Sequence, residues 1–171
     1  MKHVLGCVAL VAAMLLGGCG DDAKNAAPAA KVDPAFAHDN ELWREQRLTE
    51  LLAPDGWTSL VGLHWLDLKA HYIGSGSTSG IRLAAGPPRM GLVTRVGKAW
   101  FFAPEPGVSV KLDGQVVKGR IPLHSDHAET PTLIHFDDDK GTLSLIERGE
   151  RFGLRVKHAD APARAHFTHL D

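Results

Sequence analysis

Short apolar segments alternate with turn signals along most of this 171-residue chain. Residues 92–96 and 99–103 flank Gly97-Lys98, and residues 108–112 and 115–117 flank Asp113-Gly114. Gly-X and Asp-Gly pairs supply the positive φ angles that two-residue hairpin turns require. Turn signals this frequent predict a mainly β fold, a sandwich or open barrel of short antiparallel strands.

The remaining strands and one helix are predicted from the same kinds of signal. Further strands are predicted at residues 57–66, 132–136, 142–148 and 152–157, on the basis of apolar runs bounded by turn residues. One N-terminal helix is expected from Asp39, a suitable N-cap, to about Leu52, before Pro54-Asp55-Gly56. The large aromatic side chains of the predicted strands are expected to fill the core: Trp57, Trp65, Trp100, Phe101 and Phe102.

The N-terminus has the three parts of an export signal: Lys2, an apolar stretch at residues 4–16, and small residues before Cys19. The apolar stretch is too short to span a bilayer as a helix. The sequence LGGC at residues 16–19 resembles the lipobox of bacterial lipoproteins. This resemblance implies cleavage before Cys19 and attachment of acyl chains such as palmitate to it, which together give stable membrane anchoring.

Three regions follow from this interpretation: a lipoprotein signal peptide at residues 1–18, the lipidated Cys19 with a flexible tether at residues 19–38, and a β-rich domain at residues 39–171. The tether is predicted from its Ala, Pro, Asp and Lys content, which offers almost nothing to bury. Gly20 rather than Asp follows the cysteine. By analogy with enteric lipoproteins, this predicts the periplasmic face of the outer membrane.

Composition excludes several kinds of chemistry. The two cysteines are Cys7, inside the signal, and Cys19, so the β-rich domain has no disulfide, thiol catalyst or cysteine metal site. The 19 basic and 20 acidic residues nearly balance, which gives no electrostatic case for nucleic acid or a polyanionic partner. No cofactor is expected. The expected partners are the membrane, through the lipid anchor, and an envelope ligand or protein.

The high count of ten histidines raises the question of a metal site. His124 and His127 form the densest pair, but spacing nominates no third ligand, and solvated loop histidines are the favoured interpretation. A hydrolytic site would need the fold to bring scattered polar side chains into one pocket. The candidates for such a site are His64, His124, Asp126, Arg148 and Arg155.

Several segments together resemble one protein family. Residues 55–66 read DGWTSLVGLHWL, residues 73–75 IGS, residues 147–149 ERG and residues 153–156 GLRV. This pattern is similar to the DUF1684 family of bacterial and archaeal proteins, for which no function is established. The resemblance covers about residues 41–170. Family members generally continue into a second half with an Asn-Arg-Ala-Tyr-Asn-Pro-Pro type segment, so it implies that residues 39–171 are the N-terminal part of the family domain.

Residues 72–123 also resemble forkhead-associated domains more faintly, through the Ile73-Gly74-Ser75 turn, the segment at residues 81–83 and the Asp113-Gly114 hairpin. This resemblance implies a sandwich of about eleven strands. Such domains place an arginine after the glycine to grip phosphate, whereas this chain has Ser75. Phosphothreonine recognition is therefore not implied.

Three functions remain open at this point. The favoured one is a non-catalytic, membrane-tethered domain that binds an envelope component or a partner protein. The alternatives are a cell-envelope hydrolase built on the His, Asp and Arg candidates, and a truncated remnant without independent function.

Overall fold

Two β-sheets make up the fold in the computed structural model, which describes residues 31–169. Their strands are β1 (Leu60–Trp65), β2 (Ala70–Gly74), β3 (Ile81–Arg82), β4 (Gly91–Val96), β5 (Ala99–Pro104), β6 (Lys111–Leu112), β7 (Gln115–Val116), β8 (Ile121–Leu123), β9 (Leu133–Phe136), β10 (Gly141–Arg148) and β11 (Arg151–His158). Sheet A has six strands in the order β1-β11-β10-β9-β6-β7. Sheet B has five, in the order β3-β2-β4-β5-β8.

The hydrophobic core lies between the inner faces of the two sheets. Sheet A contributes fully buried leucine and valine side chains from β10 and β11, and sheet B contributes residues such as Ile73, Val93 and Phe102. Burial of each such side chain stabilises the fold by roughly 1.5–3 kcal/mol. The predicted mainly β sandwich is confirmed, and the strands pair antiparallel except for β3, which runs parallel to β2.

The hairpin turns form where the sequence predicts them. Asp113 and Gly114 have φ angles of 52° and 76°, and they join the paired residues Leu112 and Gln115. Two consecutive positive φ angles define a type I′ turn, which matches the right-handed twist of the strands it joins. The prediction from the Asp-Gly pair is confirmed.

Helix α1 spans Pro34–Leu51 and begins five residues before the predicted N-cap, Asp39. The physical reason is Asp33, whose carboxylate accepts a hydrogen bond from the Ala35 N–H at 2.9 Å, ahead of a proline that suits the first helical position. Residues 34–38, which were predicted to belong to the tether, are therefore helical. A second, five-residue helix, α2, spans Pro162–His166 and was not predicted.

Within the unit Asn40–Asp171, side chains satisfy the carbonyl groups at the C-terminal end of α1. Arg164 donates to the Leu52 carbonyl oxygen at 2.8 Å, and the Thr58 hydroxyl donates to that of Leu51. No helix in the described part of the chain is long and apolar enough to cross a membrane.

Strand β1 differs from its prediction as a buried strand. Residues 57–59 form a 3₁₀ turn, and β1 lies at the edge of sheet A, where β11 is its single strand partner within the part of the chain that the structure describes. The predicted core position of Trp57 is wrong, since this side chain is 61% exposed, whereas Trp100 and Phe102 are buried as expected. Trp65 and Phe101 are half-buried.

Gly74 lies where β2 passes the backbone of residues 88–90, and a Cβ atom there would overlap the Pro88 carbonyl oxygen. We expect Gly74→Ala to lower the free energy of unfolding by about 2 kcal/mol, because backbone atoms must move to admit the methyl group. Gly119, where an added Cβ meets nothing within 4 Å, is the control. Urea unfolding followed by circular dichroism measures both variants, and equal stability of the two would contradict the close approach.

Candidate functional site

The β10–β11 hairpin has one apolar and one basic face. Leu145 pairs with Leu154, and both are buried in the core, so the residues on either side of each point away from it. The outward positions are Thr142, Ser144, Ile146 and Arg148 on β10, and Arg151, Gly153, Arg155 and Lys157 on β11. These eight positions hold four basic side chains and no acidic one.

Aromatic rings lie among these cations. The Trp65 ring covers Gly153, where a Cβ atom would be 3.1 Å from a ring carbon, and the Arg151 guanidinium carbon is 4.2 Å from the Trp65 ring centroid. The Arg155 guanidinium carbon and the Lys157 Nζ each lie 5.9 Å from the centroid of the Trp57 ring. Such cation–π contacts hold long basic side chains in place on a surface.

Leu63 on β1 pairs with Arg155 and is 47% exposed, so apolar surface continues between the two tryptophans. We call this surface the basic face; it comprises Trp57, Leu63, Trp65, Arg148, Arg151, Arg155 and Lys157.

Asp126 supplies a carboxylate beside the basic face. Its Oδ2 lies 2.9 Å from Arg148 Nη2 and 3.6 Å from Arg155 Nη2, and its Oδ1 accepts a hydrogen bond from the Glu147 N–H at 3.0 Å. The position of Asp126 follows from a parallel bridge between Ser125 and Leu145, which extends the ladder along β10 beyond the end of β9. Ser125 also donates to Glu147 Oε2 at 3.0 Å.

The surroundings of Asp126 keep it ionised. Desolvation raises the pKa of this carboxyl, but the hydrogen bonds from Arg148 and from the Glu147 N–H, with the charges of Arg148 and Arg155, lower it by more. The net pKa lies below its ordinary value. Asp126 therefore acts as a fixed counter-ion that orients two arginines.

His64 does not join this group. It pairs with Leu154, a core residue, so its ring points to the inner side of sheet A, opposite the basic face. Its Nε2 is buried and finds no hydrogen-bond partner among residues 31–169, and burial lowers the pKa of the imidazole. The alternation of β1 and β11 therefore places His64 and Asp126, two of the hydrolytic candidates, on opposite faces of sheet A.

His124 and His127 are both exposed. His124 is held through its backbone, since its N–H donates to Thr132 Oγ1 at 2.9 Å and its carbonyl accepts the Thr132 N–H at 3.1 Å. Within residues 31–169, no group of three or more His, Cys, Asp or Glu side chains is placed to hold a metal ion. The histidine pair therefore gains no third ligand of these types from the described residues. Cys19 lies outside the described residues.

Three of the five predicted site residues come together: Asp126, Arg148 and Arg155. The sequence reasoning missed Arg151, Lys157 and the exposed Trp57. A signal for Arg151 and Lys157 was present, because in residues 151–157, RFGLRVK, the basic side chains at 151, 155 and 157 all fall on one side of the strand alternation. Chemically, the basic face offers several guanidinium and ammonium donors beside aromatic and apolar surface, which suits an anionic, partly apolar ligand.

No protein-family model and no curated protein sequence matches the chain. Solved structures similar to it include the N-terminal FHA domain of EssC, a component of the bacterial type VII secretion apparatus, with a TM-score of 0.43 and 11% identity over 57% of this chain and 46% of that chain. The chain thus spans less than half of that structure. Another is the FHA1 domain of yeast Rad53, with a TM-score of 0.30 and 9% identity over 72% of this chain and 75% of that one.

The ion pairs of Asp126 are expected to make the stability of the protein depend on pH. Because the native pKa of Asp126 is lowered, its stabilising effect is present above the unfolded value of about 3.9 and is lost as the pH falls through the native pKa. We expect Asp126→Asn to destabilise the protein by about 1 kcal/mol at pH 7, with a difference from the wild type that shrinks towards pH 3.

Urea unfolding at pH 7, 5, 4 and 3 measures this difference. Glu129→Gln, which removes an exposed carboxylate from a nearby loop, is the control and should change stability by less than about 0.5 kcal/mol. A difference for Asp126→Asn that stays constant with pH would show that the ion pairs do not act as described.

Proposed function

We propose that this chain is a cell-envelope lipoprotein, anchored through Cys19, whose β-sandwich is a non-catalytic binding domain. The basic face is its binding surface. The observation that carries the proposal is the clustering of four basic side chains with exposed Trp57 and Leu63 at one face of sheet A, in a chain whose 19 basic and 20 acidic residues nearly balance as a whole. Binding surfaces are enriched in tryptophan and arginine, and this face combines the two.

The geometry of the polar candidates supports binding over catalysis. General acid–base chemistry needs a side chain free to exchange a proton near the reacting group. Asp126 is instead committed to two arginines and a backbone N–H, and His64 faces the other side of the sheet. Both arginines thus remain as donors with fixed orientation, which is what recognition of an anion requires.

The resemblance to the DUF1684 family fits the same proposal. Two of the segments that carry it, ERG at residues 147–149 and GLRV at residues 153–156, contribute Arg148 and Arg155 to the basic face. The outer-membrane location remains part of the proposal through the LGGC motif and Gly20.

Membrane attachment is tested by exchanging cysteines. We expect Cys19→Ser to release the protein from the membrane fraction or to leave it unprocessed, because the residue that carries the acyl chains is gone. Cys7→Ser is the matched control, since this cysteine lies inside the predicted signal, and it should fractionate as the wild type does. Fractionation after washing with high salt, with mass spectrometry of the N-terminal peptide, measures both, and membrane retention of Cys19→Ser would refute the anchor.

The absence of catalysis is tested separately with the purified protein. We expect no turnover on a panel of ester, amide, phosphoester and glycoside substrates. Any turnover that Asp126→Asn or His64→Leu abolishes, while Glu129→Gln leaves it unchanged, would identify a hydrolase and overturn the binding proposal.

A further inference from the structure

We propose that the basic face docks on the anionic phospholipid head groups of the membrane that carries the anchor. This inference rests on the proposed function, because lipidation at Cys19 is what brings the domain to the bilayer. Two properties of the basic face point to this ligand: its positive charge and its exposed apolar side chains.

The positive charge of the basic face complements the negative charge of anionic lipid head groups. Arg148, Arg151, Arg155 and Lys157 all point to one side of the β10–β11 hairpin, with Asp126 as the carboxylate that pairs with two of them. Each basic side chain near an anionic lipid surface strengthens binding roughly fivefold. Several such side chains on one face therefore give a strong and salt-sensitive preference for anionic over zwitterionic lipid.

The spacing of the charges favours an extended surface over a small anion. Arg151 and Lys157 are six positions apart on the same strand, which corresponds to roughly 20 Å. A single phosphate or carboxylate group bridges only a small part of that distance. A bilayer presents many head groups in one plane, so all the cations are satisfied together.

Exposed apolar side chains favour a bilayer over a soluble polyanion. Trp57 is 61% exposed and Leu63 is 47% exposed, and both border Arg155. Tryptophan is enriched at the membrane–water interface, where its ring lies at the level of the head groups. A soluble anionic polymer gives such side chains much less to bury against.

The anchor makes weak docking sufficient. Once Cys19 is held in the bilayer, docking of the basic face is an intramolecular event with a high effective concentration. The face therefore does not need enough affinity to recruit the chain from solution; it sets the orientation of the domain on the membrane.

The test uses the mature lipidated protein, reconstituted into vesicles of phosphatidylcholine alone or with 30% phosphatidylglycerol, both containing acyl-brominated lipid as a short-range quencher. The signal is the tryptophan emission that Trp57→Phe removes. We expect this component to be quenched in the anionic vesicles, to remain unquenched in the neutral ones, and to recover in 0.5 M NaCl because salt screens the attraction.

Matched double variants test the role of charge. Arg151→Gln with Lys157→Gln should lower the ratio of docked to undocked protein roughly 25-fold. Lys98→Gln with Lys118→Gln removes the same charge from the β4–β5 turn and from beyond the opposite edge of sheet A, and should leave the ratio unchanged. Arg151→Lys with Lys157→Arg keeps the charge and should retain docking, which separates loss of charge from loss of structure.

Flotation of the vesicles distinguishes failure of the anchor from failure of docking. Protein that does not float with neutral vesicles lacks the lipid anchor, which refutes the proposed function. Protein that floats but shows no quenching in anionic vesicles, or equal quenching in both compositions, refutes docking alone. A change in Trp57 emission with soluble polygalacturonate, without quenching in anionic vesicles, would identify an acidic glycan as the ligand and overturn the lipid assignment.

Discussion

The register of the β10–β11 hairpin determines which side chains this protein presents to its surroundings. Leu145 and Leu154 face each other across the two strands inside the core, and this pairing places Arg155 on the opposite side. A shift of one residue would exchange the two faces and bury the basic side chains. Because ionised side chains are very unfavourable in an apolar interior, the same contacts that hold the core together also fix the composition of the basic face.

Turn residues and the periodicity of apolar residues made the class of fold predictable. The position of each strand within its sheet could not be predicted from them. Asp113-Gly114 specifies its hairpin locally, since the backbone angles it needs belong to those two residues. The segment at residues 57–66 has apolar residues on both alternating faces, and this pattern is the same for a central strand and for an edge strand. Only the pairing with β11 shows that β1 is an edge strand with Leu63 on its outer side, and only the structure shows that Trp57 precedes β1 in a 3₁₀ turn.

The candidate site was predicted in part for a related reason. Arg148 and Arg155 could be nominated by residue type, but whether they meet Asp126 depends on the Ser125–Leu145 bridge, which has no signal in the sequence. His64 is separated from Asp126 and the two arginines because side chains alternate between the two faces of a strand, and this can be read only when the register between β1 and β11 is known. Whole-chain charge balance also concealed the basic face, because an average over the chain contains no information on which residues share a surface.

Sheet A joins the first strand of the sandwich to the last, since Leu60 of β1 pairs with Lys157 of β11. Contacts this distant along the chain form slowly, because the entropic cost of closing a long loop comes before the pairing can stabilise the fold. Within the described residues, β1 therefore has no strand partner until residues 151–158 reach it. The surface that carries Trp57 and Leu63 beside Arg155 consequently forms only when the two ends of the sandwich meet, and chains in which β11 is not yet paired expose β1 as an open edge to their neighbours.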